Sequence, residues 1–451
     1  MDMSADGEEN LEKLLQVSKT AEGRSRLATA GTLAVLLRRL STILPVDLLP
    51  VLRILRNLCA GEAANQDAFL HLGGPAVVET VLFSPLANLE ARRIGLQLLG
   101  NFALAGEVHR AAVWGSFYPA RFLELATIRE PRVCDPLCMV LDTCCSSEGG
   151  RRRFEELCDD ERGLPIVVEI IKTACAGRYE EEWLEWLVTK ICIEEPYLLL
   201  LFQKLASSMY DYGETEAVLL KLLSKSLSNR PVEISLSNDF ALSILKIFRE
   251  ASNVRNITRV SSALPTGSPT IDVLGYSLMI LRDACAWEDP SLAVAESPVD
   301  SLVSHGLMDL ILSILEELGP PSSVRRVIEN SSCKAAITES KRVCSYRGFR
   351  RDLVSVIGNC LYRRKHIQDE IRKRNAIQLL LQQCVVEEDN PFLREWGLFA
   401  VRNLLEGNEE NQLYVTELQL QESVNTPEVL ELGLKVELDR QSGRPKLVNI
   451  S

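Results

Sequence analysis

Apolar residues recur at three- and four-residue steps through most of this chain. In WGLFAVRNLLEGNEENQ, residues 396–412, Leu398, Val401 and Leu405 share one helix face, and Gly407 follows as a stop. VLRILRNLCAGEAANQD, residues 51–67, has the same order far upstream: a helix carrying Asn-Leu near its end, a Gly-containing break, then Asn-Gln. Aligned on that asparagine, the chain shows repeat marks at Asn57, Asn101, Asn359 and Asn403, with Asp142 and Asp283 at matching places. Asn57 to Asn101 is 44 residues, Asn101 to Asp142 is 41 and Asn359 to Asn403 is 44. Units of this length with two or three helices predict an armadillo- or HEAT-like array. A second amphipathic helix follows the break, and Gly-Gly-Pro at 73–75 or Gly-Leu-Pro at 163–165 precedes a third. Such a unit cannot bury its apolar face alone and must stack on its neighbours.

Sustained β alternation is confined to 433–451, where two short alternating runs flank a Ser-Gly turn signal. The expected fold class is therefore all-α: an armadillo/HEAT-like α-solenoid with a short C-terminal β-hairpin. The expected plan is an N-terminal array over 1–250, a loop at 251–270, one repeat at 271–317, a flexible linker at 318–348, C-terminal repeats at 349–418 and a tail with the hairpin at 419–451. The loop and linker are placed by Ser, Thr, Pro and Gly in NITRVSSALPTGSPT and by weak periodicity in LGPPSSVRRVIENSSCKAAITESKRVCSYRG. Over 176–250 the pattern is helical but the repeat signature is faint.

Composition narrows the class. The chain is 46% hydrophobic and 25% charged, which fits a folded protein. A net charge of -12 weighs against general attraction to nucleic acid or anionic membrane. PYLLLLFQKLA, residues 196–206, is the strongest apolar run and is too short to span a bilayer, so no membrane insertion is expected. The acidic N-terminus lacks the pattern of a signal peptide. The 13 cysteines are odd in number and scattered, which points to a reducing cytosolic or nuclear compartment, the cytosol being the expected place.

One region is more specific. It contains Phe349 to Val354 in the pattern F-x-R-D-L-V, Ile357-Gly358-Asn359, Gln368-Asp369 and Asp389-Asn390-Pro391-Phe392. Arg394-Glu395-Trp396, Arg402-Asn403-Leu404 and EGNEENQ at 406–412 complete it. Over roughly 349–418 these residues resemble the C-terminal region of the ataxin-10 family. The resemblance implies a cytoplasmic, non-enzymatic α-solenoid protein linked to cytokinesis, ciliary or centrosomal organisation and cell survival through protein contacts. It also implies self-association. The rest of the chain is generically armadillo-like.

Candidate chemistry is sparse. His71, His109, His305 and His366 have no repeated metal-ligand spacing and read as structural. Cys134, Cys138, Cys144 and Cys145 sit in the apolar run CDPLCMVLDTCC. Core packing is the preferred reading there, and metal or redox sensing stays open. Phosphate-cradling glycine loops and the nucleophile elbow are absent. Glu180, Glu181, Glu182 and Glu185 surround Trp183 and Trp186, which reads as an acidic solvated face over an aromatic anchor. No catalytic residue, cofactor or metal is expected.

Charge is unevenly distributed. Residues 325–374 hold 14 Lys or Arg against 5 Asp or Glu, whereas 375–451 hold 6 against 13. Solvated helix faces explain this most simply. The functional alternative is a docking patch for an acidic partner, or for another copy, formed by Arg350, Arg351, Arg363, Arg364, Lys365, Arg372, Lys373 and Arg374. Aromatics rarely interleave these residues and no nucleic-acid module is recognisable, so no nucleic acid is expected as a partner.

The functional expectation is a non-catalytic protein–protein interaction scaffold whose partners are other proteins. The alternative is an importin-like armadillo receptor for basic peptides. In importin-type arrays a tryptophan lies four residues before the asparagine and grips the peptide with it. Here those positions are Arg53, Gln97, Ser355 and Phe399. The register asparagine can bridge to backbone or point into a groove, and without that tryptophan the structural role is preferred.

Overall fold

The computed structural model describes residues 5–40, 47–146, 148–178, 181–206, 211–229, 236–254, 260–286, 297–330, 342–418, 434–438 and 445–449. Up to residue 418 the regular elements are helices. Four groups of three come first: α1 (Ala5–Ser18), α2 (Ala21–Thr29) and α3 (Thr32–Leu40); α4 (Leu48–Leu58), α5 (Ala63–His71) and α6 (Gly74–Leu82); α7 (Leu89–Ala103), α8 (Glu107–Phe117) and α9 (Ala120–Ala126); α10 (Pro131–Cys145), α11 (Arg151–Leu157) and α12 (Leu164–Gly177). The middle is less regular, with α13 (Glu182–Thr189) running into a π turn at Lys190–Glu194, then α14 (Leu198–Leu205), α15 (Glu214–Asn229) and α16 (Asn238–Ser252). Next come α17 (Pro269–Ala286), α18 (Pro298–Ser304), α19 (Leu307–Leu318) and α20 (Ser322–Asn330), then α21 (Phe349–Leu361), α22 (Lys365–Lys373) and α23 (Ile377–Leu381), and finally α24 (Leu393–Leu405) and α25 (Glu409–Glu417). Leu434–Leu438 and Pro445–Asn449 are two strands paired antiparallel, Leu434 opposite Asn449.

The first helix of each group packs on the first helix of the next, giving an inner ladder α1–α4–α7–α10–α13–α15–α17–α21–α24. The architecture is all-helical and solenoid-like, and each unit is stabilised by its neighbours. One apolar core runs unbroken from Leu11 to Leu404, so the arrays on either side of residues 251–270 share it. The faint signature over 176–250 has a structural cause. There the ladder advances by two-helix steps, because α15 touches both α13 and α17. A mark expected every forty-odd residues loses its phase across such a step.

Glycine ends the register helices for a backbone reason. Gly61 and Gly407 both sit at φ 68° just beyond α4 and α24. A side chain in this left-handed region crowds its own carbonyl, so glycine is favoured.

Two segments expected to be loose differ from that expectation. Of the expected linker, 322–330 is the helix α20, and 331–341 lie outside the described residues. Residues 342–348 are anchored: the Arg342 amide donates to Glu317 O at 3.1 Å, its guanidinium reaches Ser252 O at 3.1 Å, and Gly348 N donates to Asp389 O at 2.8 Å. The expected loop at 251–270 pairs with that same segment, with Val260 N donating to Ser345 O at 3.0 Å and Arg347 N to Ser262 O at 3.1 Å. Its end is then fixed by Asp272 of α17, which accepts from Thr266 N at 2.6 Å and Thr266 Oγ1 at 2.7 Å. Apart from the bond from Thr266 Oγ1, each of these uses a main-chain group, which is why polar, aperiodic sequence gives no sign of them. Residues 255–259 of the loop lie outside the described residues.

Candidate interaction surface

The register asparagines sit on the inner ladder and do one repeated thing. Asn101 Nδ2 donates to Arg56 O at 3.0 Å, Asn359 Nδ2 to Arg282 O at 2.9 Å, and Asn403 Nδ2 to Gly358 O at 2.9 Å. Each acceptor is the residue immediately before the register position of the preceding unit: Asn57, Asp283 and Asn359. The group before Asn57 carries no register mark, and Asn57 Nδ2 donates instead to Ser18 Oγ at the end of α1, at 3.0 Å. The asparagine therefore ties its helix to the previous inner helix.

A glutamine returns the contact. Gln66 Nε2 donates to Cys59 O at the end of its own register helix and to Asn101 O in the next, both at 2.9 Å. Gln368 repeats this with Leu361 O at 3.3 Å and Asn403 O at 2.7 Å. Each such boundary is closed from both sides. The carbonyls left over at a helix C-terminus are satisfied and two units are joined at once. In the fourth group Arg153 replaces the glutamine, donating from Nε to Cys144 O at 2.7 Å and gripping Glu107 with its other nitrogens at 2.7 and 2.8 Å. Asp142 cannot donate as an asparagine does, and burial pushes its carboxyl above the ordinary value.

The specific C-terminal residues are stitching of the same kind. Asn390 Oδ1 accepts from Arg350 N at 3.0 Å, capping α21 from forty residues downstream, and its Nδ2 donates to Glu387 at 2.7 Å. Asn408 Nδ2 donates to Gln368 Oε1 at 3.2 Å and Asp369 Oδ1 at 2.9 Å, while its Oδ1 caps α25 at Asn411 N. Asn411 Nδ2 reaches Leu404 O at 3.0 Å and Gln368 O at 3.2 Å. Asp352 is buried. Tyr346 Oη donates to it at 2.8 Å and Arg351 pairs with it at 2.6 Å, yet burial still pushes its carboxyl up.

The basic island does not form one open patch. Arg350 is 4% exposed. Its guanidinium reaches Gly319 O at 2.9 Å, Leu318 O at 3.4 Å and Gln383 Oε1 at 3.2 Å, closing the C-terminus of α19. Arg351 is held by Asp352, Arg372 by Asp369, Asn411 and Glu410, and Arg374 by Glu370 and Asp309. Arg364 donates to Asn359 O and Tyr362 O, each at 3.3 Å. Arg363, Lys365 and Lys373 remain exposed, and Arg363 lies over the Tyr362 ring at 5.0 Å. Arg350, Arg372 and Arg374 also reach Gly319, Glu410 and Asp309 in other units, which a charge count along the sequence does not reveal, while Arg351 and Arg364 are held by neighbours in their own unit.

The cysteine cluster is part of the core. Cys134, Cys138, Cys144 and Cys145 are all buried on α10, and burial raises the Cys144 thiol to about 12. No single helix among the described residues is long and apolar enough to cross a membrane.

The family model described as "Spinocerebellar ataxia type 10 protein domain" matches residues 349–448, the region of the stitched motifs. Ataxin-10 of Homo sapiens is 27% identical over 395 residues, covering 85% of this chain and 78% of its own length. Ataxin-10 of Macaca fascicularis is likewise 27% identical, over 394 residues with the same coverage. The ataxin-10 homolog of Dictyostelium discoideum is 36% identical over 104 residues, 23% of this chain and 17% of its own. A solved engineered protein aligns with 89% of this chain and 96% of its own at 12% identity, with a TM-score of 0.33, too low to argue from. The C-terminal match and the long alignments together support membership of the ataxin-10 family.

Proposed function

We propose that this protein is a non-catalytic scaffold of armadillo type that holds other proteins on the faces of a stiff helical array. The observation that carries this reading is the doubly closed boundary, seen at Gln66 with Asn101 and again at Gln368 with Asn403. Repeated units locked in this way supply an extended support, and function then resides in exposed side chains. Arg363, Lys365 and Lys373 are the members of the C-terminal basic island available for such contact.

The weaker reading is a receptor for basic peptides. Arg53 stands where that mode of binding needs a tryptophan, and Ser355 is buried at the equivalent place in the C-terminal half. Arg53, Arg56 and Arg93 would repel a basic ligand on the N-terminal inner face.

Affinity capture with the full chain, compared between wild type and a triple variant Arg363→Glu, Lys365→Glu and Lys373→Glu, tests the scaffold reading. Reproducible partners of the wild type, some of them lost by the variant, are the expected result. Absence of any partner under crosslinking, or turnover in an unbiased substrate screen, contradicts it.

A further inference from the structure

A cavity of about 380 Å³ opens between the end of α1, the start of α2 and α4. Its charged lining is Lys19, Arg24, Arg53 and Arg56, with no carboxylate among its lining residues. Leu15, Ser18, Asn57 and Ala60 complete the wall. Four cations around one recess are uncommon in a chain of net charge -12.

Arg56 is the centre of the arrangement. Among the described residues its guanidinium donates only to neutral amide oxygens: to Asn57 Oδ1 at 3.0 and 3.3 Å and to Gln97 Oε1 at 2.9 Å. Asn57 is itself fixed by Ser18. The head group is thus held in place without a counter-charge of its own. On one side lies Arg53 and on the other Arg93, and these two share the single carboxylate of Glu90, at 3.3 and 2.8 Å. Burial, then the charges of Arg93 and Arg53, lowers the Arg56 value. Across the cavity, Arg24 has a buried Nε with no hydrogen-bond partner. Like charges have been gathered here and neutralised only in part, an arrangement that an anion relieves.

We propose that this cavity, with Arg53 and Arg56 on its α4 side and Arg93 beyond them in the next recess, receives the carboxylates of an acidic, extended segment of a partner protein. The inference rests on the scaffold reading and gives it a site and a partner chemistry. The planar guanidiniums suit bidentate carboxylate recognition. A nucleic acid fits less well, because the wall offers no aromatic ring on which a base could stack. The acidic run is short. The adjoining recess, between α7 and α10, brings Asp135 and Glu181 beside Arg93 and Arg132, and a longer run of carboxylates would be repelled there.

The test uses the full chain and a short fluorescein-labelled peptide of alternating glutamate and serine, read by fluorescence polarisation at low salt. Saturable binding that weakens as salt rises is expected. The double variant Arg53→Gln and Arg56→Gln weakens it roughly tenfold. Glu90→Gln, which removes the competing carboxylate, strengthens it about threefold. Lys246→Gln, at an exposed position of α16 outside the cavity, leaves it unchanged, and melting curves establish that each variant is folded. Equal affinity in the Arg53/Arg56 double variant, weaker binding in Glu90→Gln, or tighter binding of single-stranded RNA than of the peptide overturns the site. Absence of peptide binding by the wild type also overturns it, while the scaffold reading is still judged by partner capture. A chain that binds the peptide but captures no protein fails the scaffold reading on which the site rests.

Discussion

Gln368 donates from its side-chain amide to the main-chain carbonyl of Asn403, 2.7 Å away, across the boundary between the last two units. Asn403 answers by donating to Gly358 O at 2.9 Å, on the helix that precedes Gln368. Both side chains are 1% exposed. A buried polar group left without its partner carries its full desolvation penalty, so the pair acts as a lock.

Gln368→Ala is expected to destabilise the full chain by about 1–3 kcal/mol, because the carbonyls of Leu361 and Asn403 lose their shared donor. Gln66→Ala is expected to act in the same direction at the N-terminal boundary. Urea unfolding followed by tryptophan fluorescence measures both. A midpoint unchanged within error in both variants would rule out the lock as a stabilising device.

Gly407→Ala and Gly61→Ala are each expected to lower stability by roughly 1 kcal/mol, since alanine must adopt the same left-handed backbone. Among the described residues nothing lies within 4 Å of an added Cβ at either position, so the expected loss comes from the backbone. Thermal melts should show it, with Asn substitutions less harmful than Ala.

How much of this was legible in the sequence differs by residue. The spacing of Asn57, Asn101, Asn359 and Asn403 marked the units because each helix needs the same cross-tie at the same turn. The Asn-Gln that follows the break was visible as a pattern, but its target was not, because Gln66 and Asn101 belong to different units. Arg350 was read with the solvent-facing basic residues. Its burial depends on Gly319 O and Gln383, which no local charge count reveals. Val260 and Ser345 are joined through backbone groups, so the pairing of two polar segments left no trace in side-chain pattern. The cationic recess is illegible in the sequence for the converse reason. Arg53, Arg56 and Arg93 are unremarkable singly and meet only when α4 packs on α7.

Acid should weaken the Glu90–Arg93 contact in a definite order. The Arg93 hydrogen bond holds the Glu90 carboxyl down at about 2, against roughly 4.3 for an ordinary glutamate. A carboxylate depressed in the folded state stabilises above its unfolded value, and that contribution is lost as pH falls toward the folded one. Glu90→Gln should therefore lower the melting temperature at neutral pH, and the difference from wild type should shrink progressively below about pH 4.3. Salt should shrink it too, because Glu90 is partly exposed. A difference that grows on acidification would reverse the assigned sign.

Thiol reactivity separates core packing from redox or metal chemistry on α10. Cys138 and Cys144 are fully shielded; the hydrogen bond with Cys134, then burial, raises the Cys138 thiol, and burial raises that of Cys144. Iodoacetamide on the native chain should modify the half-exposed Cys175 and Cys384 well before these two, with all four reacting in denaturant. Early labelling of Cys138 or Cys144 would mark a reactive site instead of core.

The claim at the centre of this account is that the register asparagine joins units and does not bind a ligand. The urea midpoint of the Asn403→Ala chain tests it most directly. The lock predicts a lower midpoint, equivalent to about 1–3 kcal/mol, because Gly358 O is left buried without its donor. An unchanged midpoint, accompanied by loss of captured partners, would make Asn403 a ligand contact and contradict the account.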